Sequence, residues 1–300
     1  MHDLAQAKND DVLRLWQGLG YYNRARNMHK CAKIIVDEYN GAFPSTMKAL
    51  LTLPGIGRYT AAAIASLAFN EAVPVVDGNV YRVMARYFGV DIDITSGKAY
   101  DYFYQLSLSF IDKTQPANYN QAVMEFGAIF CVPQQPNCEN CVLKQGCVAF
   151  SKGTQHQYPV KKKKPKKTKR HFTYLIMQNG DHFLMRQRKD KDIWPGLFEF
   201  MLIETSRKQN LDLIEHPVLE KLRNSKAIID IDEKNIQHVL THQLLSVNFV
   251  VVKLDNEQDL AKELITDNYQ WYNWQAAENL PKPILLANYL HKRMKSINLQ

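Results

Sequence analysis

Four of the five cysteines lie close together, in the segment FCVPQQPNCENCVLKQGC with the spacing C-x6-C-x2-C-x5-C. They are Cys131, Cys138, Cys141 and Cys147. Disulfides do not suit this density, because the polar, acidic start MHDLAQAKND does not indicate export and an unexported chain keeps its thiols reduced. Three interpretations stay open on spacing alone: an iron-sulfur cluster, a structural zinc, which usually takes two C-x2-C knuckles, and a metal-free loop. Cys31, alone in a helical stretch, is expected to be a core residue.

A glycine corner, Pro54-Gly55-Ile56-Gly57, interrupts the segment LLTLPGIGRYTAAAIASLAF. Gly55 and Gly57 permit a tight turn and leave backbone N–H groups bare beside a helix N-terminus, where a phosphate oxygen can bind whatever the base sequence. An ordinary helix–helix turn uses the same residues. Twenty residues after Gly57, Asp77 precedes Gly78-Asn79 and a further helical stretch. Taken alone, Asp77 is typical of a helix N-cap.

Length and composition predict that two domains position these residues. The chain has 300 residues, 46% of them apolar, and no stretch approaches the roughly 18 consecutive apolar residues of a membrane span. Residues 161–170, KKKKPKKTKR, hold eight positive charges and no negative charge, and so account for the whole net charge of +8. We expect the surrounding segment 151–171, which has almost no apolar residue, to be a basic linker that attracts phosphate nonspecifically.

The two flanking regions differ in periodicity. In residues 1–150 the apolar residues recur at helical spacing, as in DVLRLWQGLGYY and YTAAAIASLAF, which predicts an all-α domain. In residues 172–300 the pattern shortens to strands, as in HFTYLIMQNGDHFLMRQR with Asn179-Gly180 as a hairpin turn, separated by helical stretches. The predicted fold class is therefore multidomain, with an all-α domain followed by an α+β domain.

The order of hairpin, aspartate and cysteine loop resembles the helix-hairpin-helix DNA glycosylases that carry a C-terminal 4Fe-4S cluster. In that family the aspartate at the position of Asp77 is catalytic, and the cysteine spacing is the pattern of the cluster ligands. The resemblance therefore implies a structural 4Fe-4S cluster held by Cys131, Cys138, Cys141 and Cys147. Such a cluster braces a loop that presents basic groups to DNA.

One residue and two further segments resemble the MutY-type adenine DNA glycosylases. Tyr59 stands where bifunctional members carry a Schiff-base lysine, which implies a monofunctional enzyme that cleaves with water. The segments GLGYYNRARN and NQAVMEFGA are similar to that type, which removes adenine paired with 8-oxoguanine or guanine. The resemblance implies that Tyr21 wedges into the duplex, and that Arg24, Gly55 and Gly57 also bind DNA. It also implies a cytoplasmic, DNA-associated monomer whose partner is double-stranded DNA with such a mispair.

The segment from Trp194 to Phe200, WPGLFEF, looks like a strand of a Nudix-like domain. No G-x5-E-x7-R-E-x2-E-E box follows it, so we expect no pyrophosphohydrolase activity. In the resembling family this domain inspects 8-oxoguanine with a Phe-Ser-His motif, whose nearest match is Leu240-Thr241-His242. Thr241 keeps the hydroxyl, while Leu240 lacks the aromatic ring. The implied domains are 1–150 (glycosylase), 151–171 (linker) and 172–300 (Nudix-like).

Adenine removal needs a flipped base, a proton donor for the purine and a stabiliser of positive charge on the sugar. Asp77 suits the last role, with Asn79 and Tyr59 as polar neighbours. The family's proton donor lies in an L-S-E-x-M-L-Q-Q-T helix, which is absent, and the first glutamate is Glu38. We therefore expect a chain that lacks its N-terminal segment and is impaired in adenine excision. The alternative is a noncatalytic protein that binds lesions or mispairs.

Overall fold

The computed structural model describes residues 1–162, 166–189, 192–254, 262–263 and 268–297. The chain forms two compact units. The first unit contains residues 1–5 and 30–164, and the second contains residues 6–29 and 165–300. No helix in the described ranges is long and apolar enough to cross a membrane.

All regular structure described before residue 160 is helical, as the periodicity predicts. The helices are α1 (His2–Gln6), α2 (Asn9–Leu15), α3 (Asn23–Tyr39), α4 (Met47–Leu50), α5 (Arg58–Phe69), α6 (Gly78–Phe88), α7 (Ala99–Leu108), α8 (Pro116–Glu125) and α9 (Val148–Ser151). One π-helical turn, Phe126–Phe130, continues α8.

Two apolar clusters hold the first unit together. In the first cluster the small side chains of Ala61 and Ala65 let α5 pack closely against Leu50, Leu53 and neighbours. Cys31 is buried in this cluster, which confirms the expectation that it is a core residue. In the second cluster α6 packs against α7 through residues that include Val80, Met84 and Phe103. The two clusters fix the helices that flank the glycine corner and Asp77.

The first part of the expected linker is bound to the first unit. The carbonyl of Gln155 accepts a hydrogen bond from Arg86 Nε (3.0 Å), and the carbonyl of Val160 accepts one from the Ile94 backbone N–H (3.0 Å). These hydrogen bonds hold the backbone of residues 155 and 160 on the first unit, which the composition of the segment does not reveal. Residues 163–165 of the lysine run lie outside the described residues, and strand structure begins at Thr168. The boundaries expected at 150 and 172 stay a prediction.

The second unit is built on a seven-stranded mixed sheet. Its strands are β1 (Thr168–Asn179), β2 (His182–Gln187), β3 (Phe198–Glu199), β4 (Met201–Thr205), β5 (Ile228–Val239), β6 (Gln243–Lys253) and β7 (Tyr269–Asn273). The helices described after β4 include α10 (Pro217–Arg223), α11 (Trp274–Asn279) and α12 (Ile284–Ile297). The order along the sheet is β3-β2-β1-β6-β5, with β4 also paired to β1 and β7 to β2.

The central strand β1 separates two cores. It runs parallel to β6 and forms the predicted hairpin with β2, where Asn179 pairs with His182 around the two-residue loop Gly180-Asp181. Alternate residues of β1 enter opposite clusters: Tyr174 packs on one face of the sheet and Leu175 on the other. The α+β architecture predicted for this region is confirmed.

Candidate functional site

Asp77 caps the N-terminus of α6, as its position in the sequence predicts. Its Oδ1 accepts hydrogen bonds from the backbone N–H groups of Asn79 (2.8 Å) and Val80 (2.7 Å). Its Oδ2 accepts one from Asn79 Nδ2 (3.0 Å). The half-buried carboxylate is therefore fixed in orientation, and Oδ2 keeps capacity to face a positive charge.

Arg82 connects Asp77 to the cysteine loop. The guanidinium is buried, 8% exposed, and donates from Nη2 to Asn79 Oδ1 (2.8 Å) and to the carbonyl of Gly127 (2.5 Å). Its Nε donates to the carbonyl of Cys131 (2.7 Å). Burial lowers the pKa of Arg82, and the neighbouring Arg86 lowers it further. One side chain thus holds both the amide that orients Asp77 and the backbone of the first cysteine in the loop.

Asn120 fixes the extended segment that leads to Asp77. This side chain is 2% exposed, and its Nδ2 donates to the carbonyl of Val73 (2.9 Å). Its Oδ1 accepts from the backbone N–H of Val75 (2.9 Å). Sequence reasoning assigned no role to Arg82 or Asn120. Their positions in amphipathic helices give no signal of these long-range hydrogen bonds.

Gly127 leaves no room for a side chain where α8 meets α6. A Cβ at this position would lie 2.7 Å from the Cβ of Asn79 and 3.0 Å from its carbonyl oxygen. We expect Gly127→Ala to displace Asn79 and lower the free energy of unfolding by about 1–3 kcal/mol, because overpacking forces backbone shifts. We expect the rate of adenine release to fall as well, because Asn79 orients Asp77. Thermal unfolding measures the loss, and Gly97→Ala, where no atom lies within 4 Å of the added Cβ, should change neither quantity.

The glycine corner has the geometry of a helix–turn–helix hairpin. Gly55 has a φ of +81°, a left-handed conformation that favours glycine, and Gly57 is the N-cap residue of α5. No atom lies within 4 Å of a Cβ built on Gly57, so the backbone there is open to a ligand. Tyr59, in the first turn of α5, is 48% exposed and makes no hydrogen bond within the described part of the chain. The role of Tyr59 as a polar neighbour of Asp77 stays a prediction.

All four cysteines of the loop line one cavity, together with Arg86 and the apolar residues around it. Arg86 Nη1 donates to Cys131 Sγ (3.3 Å), and the backbone N–H of Leu143 donates to Cys141 Sγ (3.4 Å). Burial raises the pKa of the Cys138 thiol, and the other three thiols raise it further because like charges repel. All four thiols are free of disulfides.

This donor set fits a 4Fe-4S cluster. Four thiolates are the usual ligands of such a cluster, and hydrogen bonds to sulfur from Arg86 and Leu143 are of the kind that tune it. Within the described ranges, no three His, Cys, Asp or Glu side chains are arranged to hold a single metal ion.

A second group of predicted residues meets in the second unit. Tyr21 has a left-handed φ of +48°, and its hydroxyl is 3.0 Å from Thr241 Oγ1 in the loop between β5 and β6. The Arg24 guanidinium lies 5.4 Å from the Tyr21 ring centroid and 5.5 Å from that of Trp16. Tyr21, Thr241 and the exposed His242 line a cavity of this unit, to which Trp194 also contributes. The exposed ring of Tyr21 is thus held between a cation and a threonine hydroxyl.

An ion-pair network that sequence reasoning missed supports the Trp194 loop of this cavity. Asp192 accepts hydrogen bonds from Arg170 (2.7 Å) and Arg188 (3.1 Å), and Arg188 also pairs with the fully buried Glu199 (2.5 Å). These pairs lower the pKa of Asp192, with the Arg170 hydrogen bond as the largest cause. The network fixes the loop that carries Trp194 to the cavity wall.

Comparisons with known proteins match both units. Residues 1–106 match the HhH-GPD superfamily base excision DNA repair proteins, and residues 173–292 match the NUDIX domain. Adenine DNA glycosylase of Buchnera aphidicola subsp. Schizaphis graminum is 34% identical over 292 residues, which cover 95% of this chain and 80% of that protein. Adenine DNA glycosylase of Homo sapiens is 42% identical over 158 residues, 52% of this chain and 29% of that protein. A thermostable thymine-DNA glycosylase of known structure is 30% identical, with a TM-score of 0.46, over 50% of this chain and 70% of its own.

Proposed function

The chain belongs to the adenine DNA glycosylase family of base-excision repair proteins, and on that premise we propose that it removes adenine paired with 8-oxoguanine or guanine. The reaction is hydrolysis of the N-glycosidic bond in double-stranded DNA, which the protein binds as a monomer. The observation that carries the proposal is the fixed carboxylate of Asp77, since the reaction needs a negative group beside the sugar.

Asp77 stabilises the positive charge that develops on the sugar as adenine leaves. Two backbone N–H groups and the Asn79 amide orient the carboxylate before the substrate arrives. A preorganised group of this kind spends no free energy on reorientation during the reaction. Asn79 is a positioning residue, because Arg82 holds its oxygen while its amide nitrogen donates to Asp77.

Tyr59 supports hydrolysis over a lyase reaction. A lyase attacks the sugar with an amine and forms a Schiff base, whereas the phenol at position 59 cannot do so. Water then takes the place of the amine, and the DNA strand stays intact at the abasic site. Borohydride should trap no covalent protein–DNA product, and a trapped product would contradict monofunctional hydrolysis.

A 4Fe-4S cluster held by Cys131, Cys138, Cys141 and Cys147 is the resident cofactor in this proposal. It supplies no chemistry to base removal and acts as a structural brace. Arg86 contacts Cys131 Sγ and donates to the carbonyls of Val132 (2.8 Å) and Pro133 (3.0 Å), which orients the start of the loop.

The base opposite adenine is recognised by Tyr21, Thr241 and His242. The hydroxyl pair of Tyr21 and Thr241 joins the residue that wedges into the duplex to the loop that inspects the lesion. A hydroxyl also both donates and accepts, which suits the edge of 8-oxoguanine.

We expect Tyr21→Phe to weaken binding of a duplex with A opposite 8-oxoguanine by about twofold to tenfold, because one hydrogen bond contributes about 0.5–1.5 kcal/mol. Fluorescence anisotropy measures the affinity. Thr241→Val should have a similar effect, and the double variant should lose less than the sum of the two. Full additivity would show that the two hydroxyls act independently. Tyr102→Phe, at another exposed tyrosine, should leave affinity unchanged.

Adenine release by these 300 residues is slow in this proposal. The family's L-S-E-x-M-L-Q-Q-T segment does not occur in them, and Glu125, in a segment similar to the family, is exposed and bound to Gln121 Nε2 (2.6 Å). A general acid contributes about 10²–10⁴-fold to rate, so a reaction without it is slower by that factor. The second candidate is a noncatalytic lesion-binding protein, which the contact between the Tyr21 hydroxyl and Thr241 Oγ1 also supports.

Single-turnover assays with a duplex containing A opposite 8-oxoguanine test the function. Slow, Asp77-dependent release of free adenine supports the enzyme. Tight, selective binding without release supports the second candidate, and release at the rate of an ordinary efficient enzyme contradicts the impairment.

A further inference from the structure

An open groove of about 310 Å³ lies on the sheet of the second unit, apart from the cavity that holds Tyr21. A water molecule occupies about 30 Å³ in the liquid. The groove therefore has room for a phosphate group together with several water molecules. Its lining comes from β1, β5, β6 and the segment after β4, and consists of Lys169, His171, Lys208, Asn235, Gln237, Leu244 and Ser246.

The charge of this groove is positive. Lys169 and Lys208 line it, both exposed, and neither makes an ion pair in the part of the chain that the structure describes. No carboxylate lines the groove. Nearby acidic side chains are bound by other cations: Glu233 and Asp232 of β5 by Lys292 and Arg293, and Glu204 of β4 by Arg170.

Polar side chains of the groove lie in register across three strands. His171 of β1 pairs with Ser246 of β6, which pairs with Gln237 of β5. The Nδ1 atom of His171 is buried and has no hydrogen-bond partner within the described residues. Buried polar atoms are nearly always partnered, so this imidazole gains a hydrogen bond if a ligand oxygen reaches it.

The groove and the 240–242 loop lie at the same end of the sheet. β1 and β6 are parallel and both begin there, because Thr168 pairs with Gln243. Neighbouring residues of β5 face opposite sides, with His238 lining the cavity of Tyr21 and Gln237 lining the groove. A duplex whose lesion meets the loop therefore brings a flanking stretch of its backbone to this end of the sheet.

We propose that this groove binds a phosphate of the DNA backbone beside the lesion, with Lys169 and Lys208 as cations and His171 as a hydrogen-bonding group. The inference rests on the proposed DNA-repair function, and it adds a contact that fixes how the second unit sits on the duplex. The contact is independent of base sequence, because phosphates carry no sequence information.

The test is the salt dependence of DNA binding by the full chain. Affinity for an undamaged duplex and for one with A opposite 8-oxoguanine is measured by anisotropy between about 50 and 200 mM salt. The variants are Lys169→Gln, Lys208→Gln and their double. Lys253→Gln is the matched control, since this exposed lysine stands at the far end of β6, about 23 Å along the strand from Ser246. Surface changes of this kind have little effect on folding stability.

Each lysine variant should reduce the slope of log K against log salt by about 0.9, and the double variant by about twice that. In the Lys169 and Lys208 variants the affinity for both duplexes should fall by the same factor. In Lys253→Gln the slope should stay unchanged. Slopes equal to that of the original chain would overturn the proposal. A second result would also overturn it: dTMP binds, as detected by a shift of the His171 imidazole resonance, while the DNA slopes stay unchanged. The groove would then hold a free nucleotide. A chain that binds DNA with the expected slopes but releases no adenine contradicts the enzyme function alone.

Discussion

Asp77→Asn lowers the rate of adenine release by about 100- to 1000-fold, the effect of removing one preorganised electrostatic group from a reaction centre. Asparagine keeps the shape of the side chain and caps helices as well as aspartate does, so α6 retains its N-terminus. The negative charge beside the developing cation is lost. Single-turnover release of labelled adenine measures the rate, and anisotropy shows that DNA affinity is retained.

Asp112→Asn is the matched control for this substitution. Asp112 also accepts backbone hydrogen bonds through Oδ1, from Thr114 (2.8 Å) and Gln115 (3.2 Å), but it is outside the candidate site. Its replacement should leave adenine release unchanged. Equal rates above the protein-free blank for the original chain and the Asp77 variant would remove Asp77 from catalysis.

We expect Cys138→Ser to abolish retention of the iron-sulfur cluster. A serine hydroxyl does not replace a thiolate ligand, and metal-binding free energy is also folding free energy. We expect iron and the visible absorption of the purified protein to disappear. The melting temperature should fall by at least about 10 °C, because a loss of roughly 5 kcal/mol shifts a domain of this size by that amount. DNA affinity should fall as the 131–147 loop loses its brace.

Cys31→Ser distinguishes loss of the cluster from a general effect of removing a thiol. Cys31 lies in the apolar cluster with Leu50 and Ala61, so its replacement lowers stability modestly and leaves the iron content intact. Full iron content in the Cys138 variant would contradict the ligand assignment. Zinc in place of iron in the original chain would contradict the cluster itself.

Local features of the fold were predictable from the sequence because their causes are local. The cap at Asp77 and the left-handed Gly55 follow from residue type and position, and the structure confirms both. Periodicity correctly separates the helices of residues 1–150 from the strands that follow. The β1–β2 hairpin is likewise confirmed, although its loop is Gly180-Asp181, one residue later than expected.

The contacts that organise the candidate sites depend on distant parts of the chain and could not be predicted. The hydroxyls of Tyr21 and Thr241 meet across 220 residues, and residues 6–29 belong to the second compact unit. Arg82 could equally have been a solvated arginine on a helix, because its burial depends on carbonyls from the cysteine loop and the π-helical turn. Side-chain hydrogen bonds of this kind leave no periodic signal in the sequence.

The most direct test of the central claim is quantification of free adenine released by these 300 residues from a duplex with A opposite 8-oxoguanine, beside an A:T duplex. The protein is in excess, and both duplexes are fully bound. We expect slow release from the lesion duplex only, with a strand that stays intact until alkali cuts it at the abasic site. No adenine above the protein-free blank, from a duplex shown to be bound, would contradict the enzyme and leave a lesion-binding protein in its place.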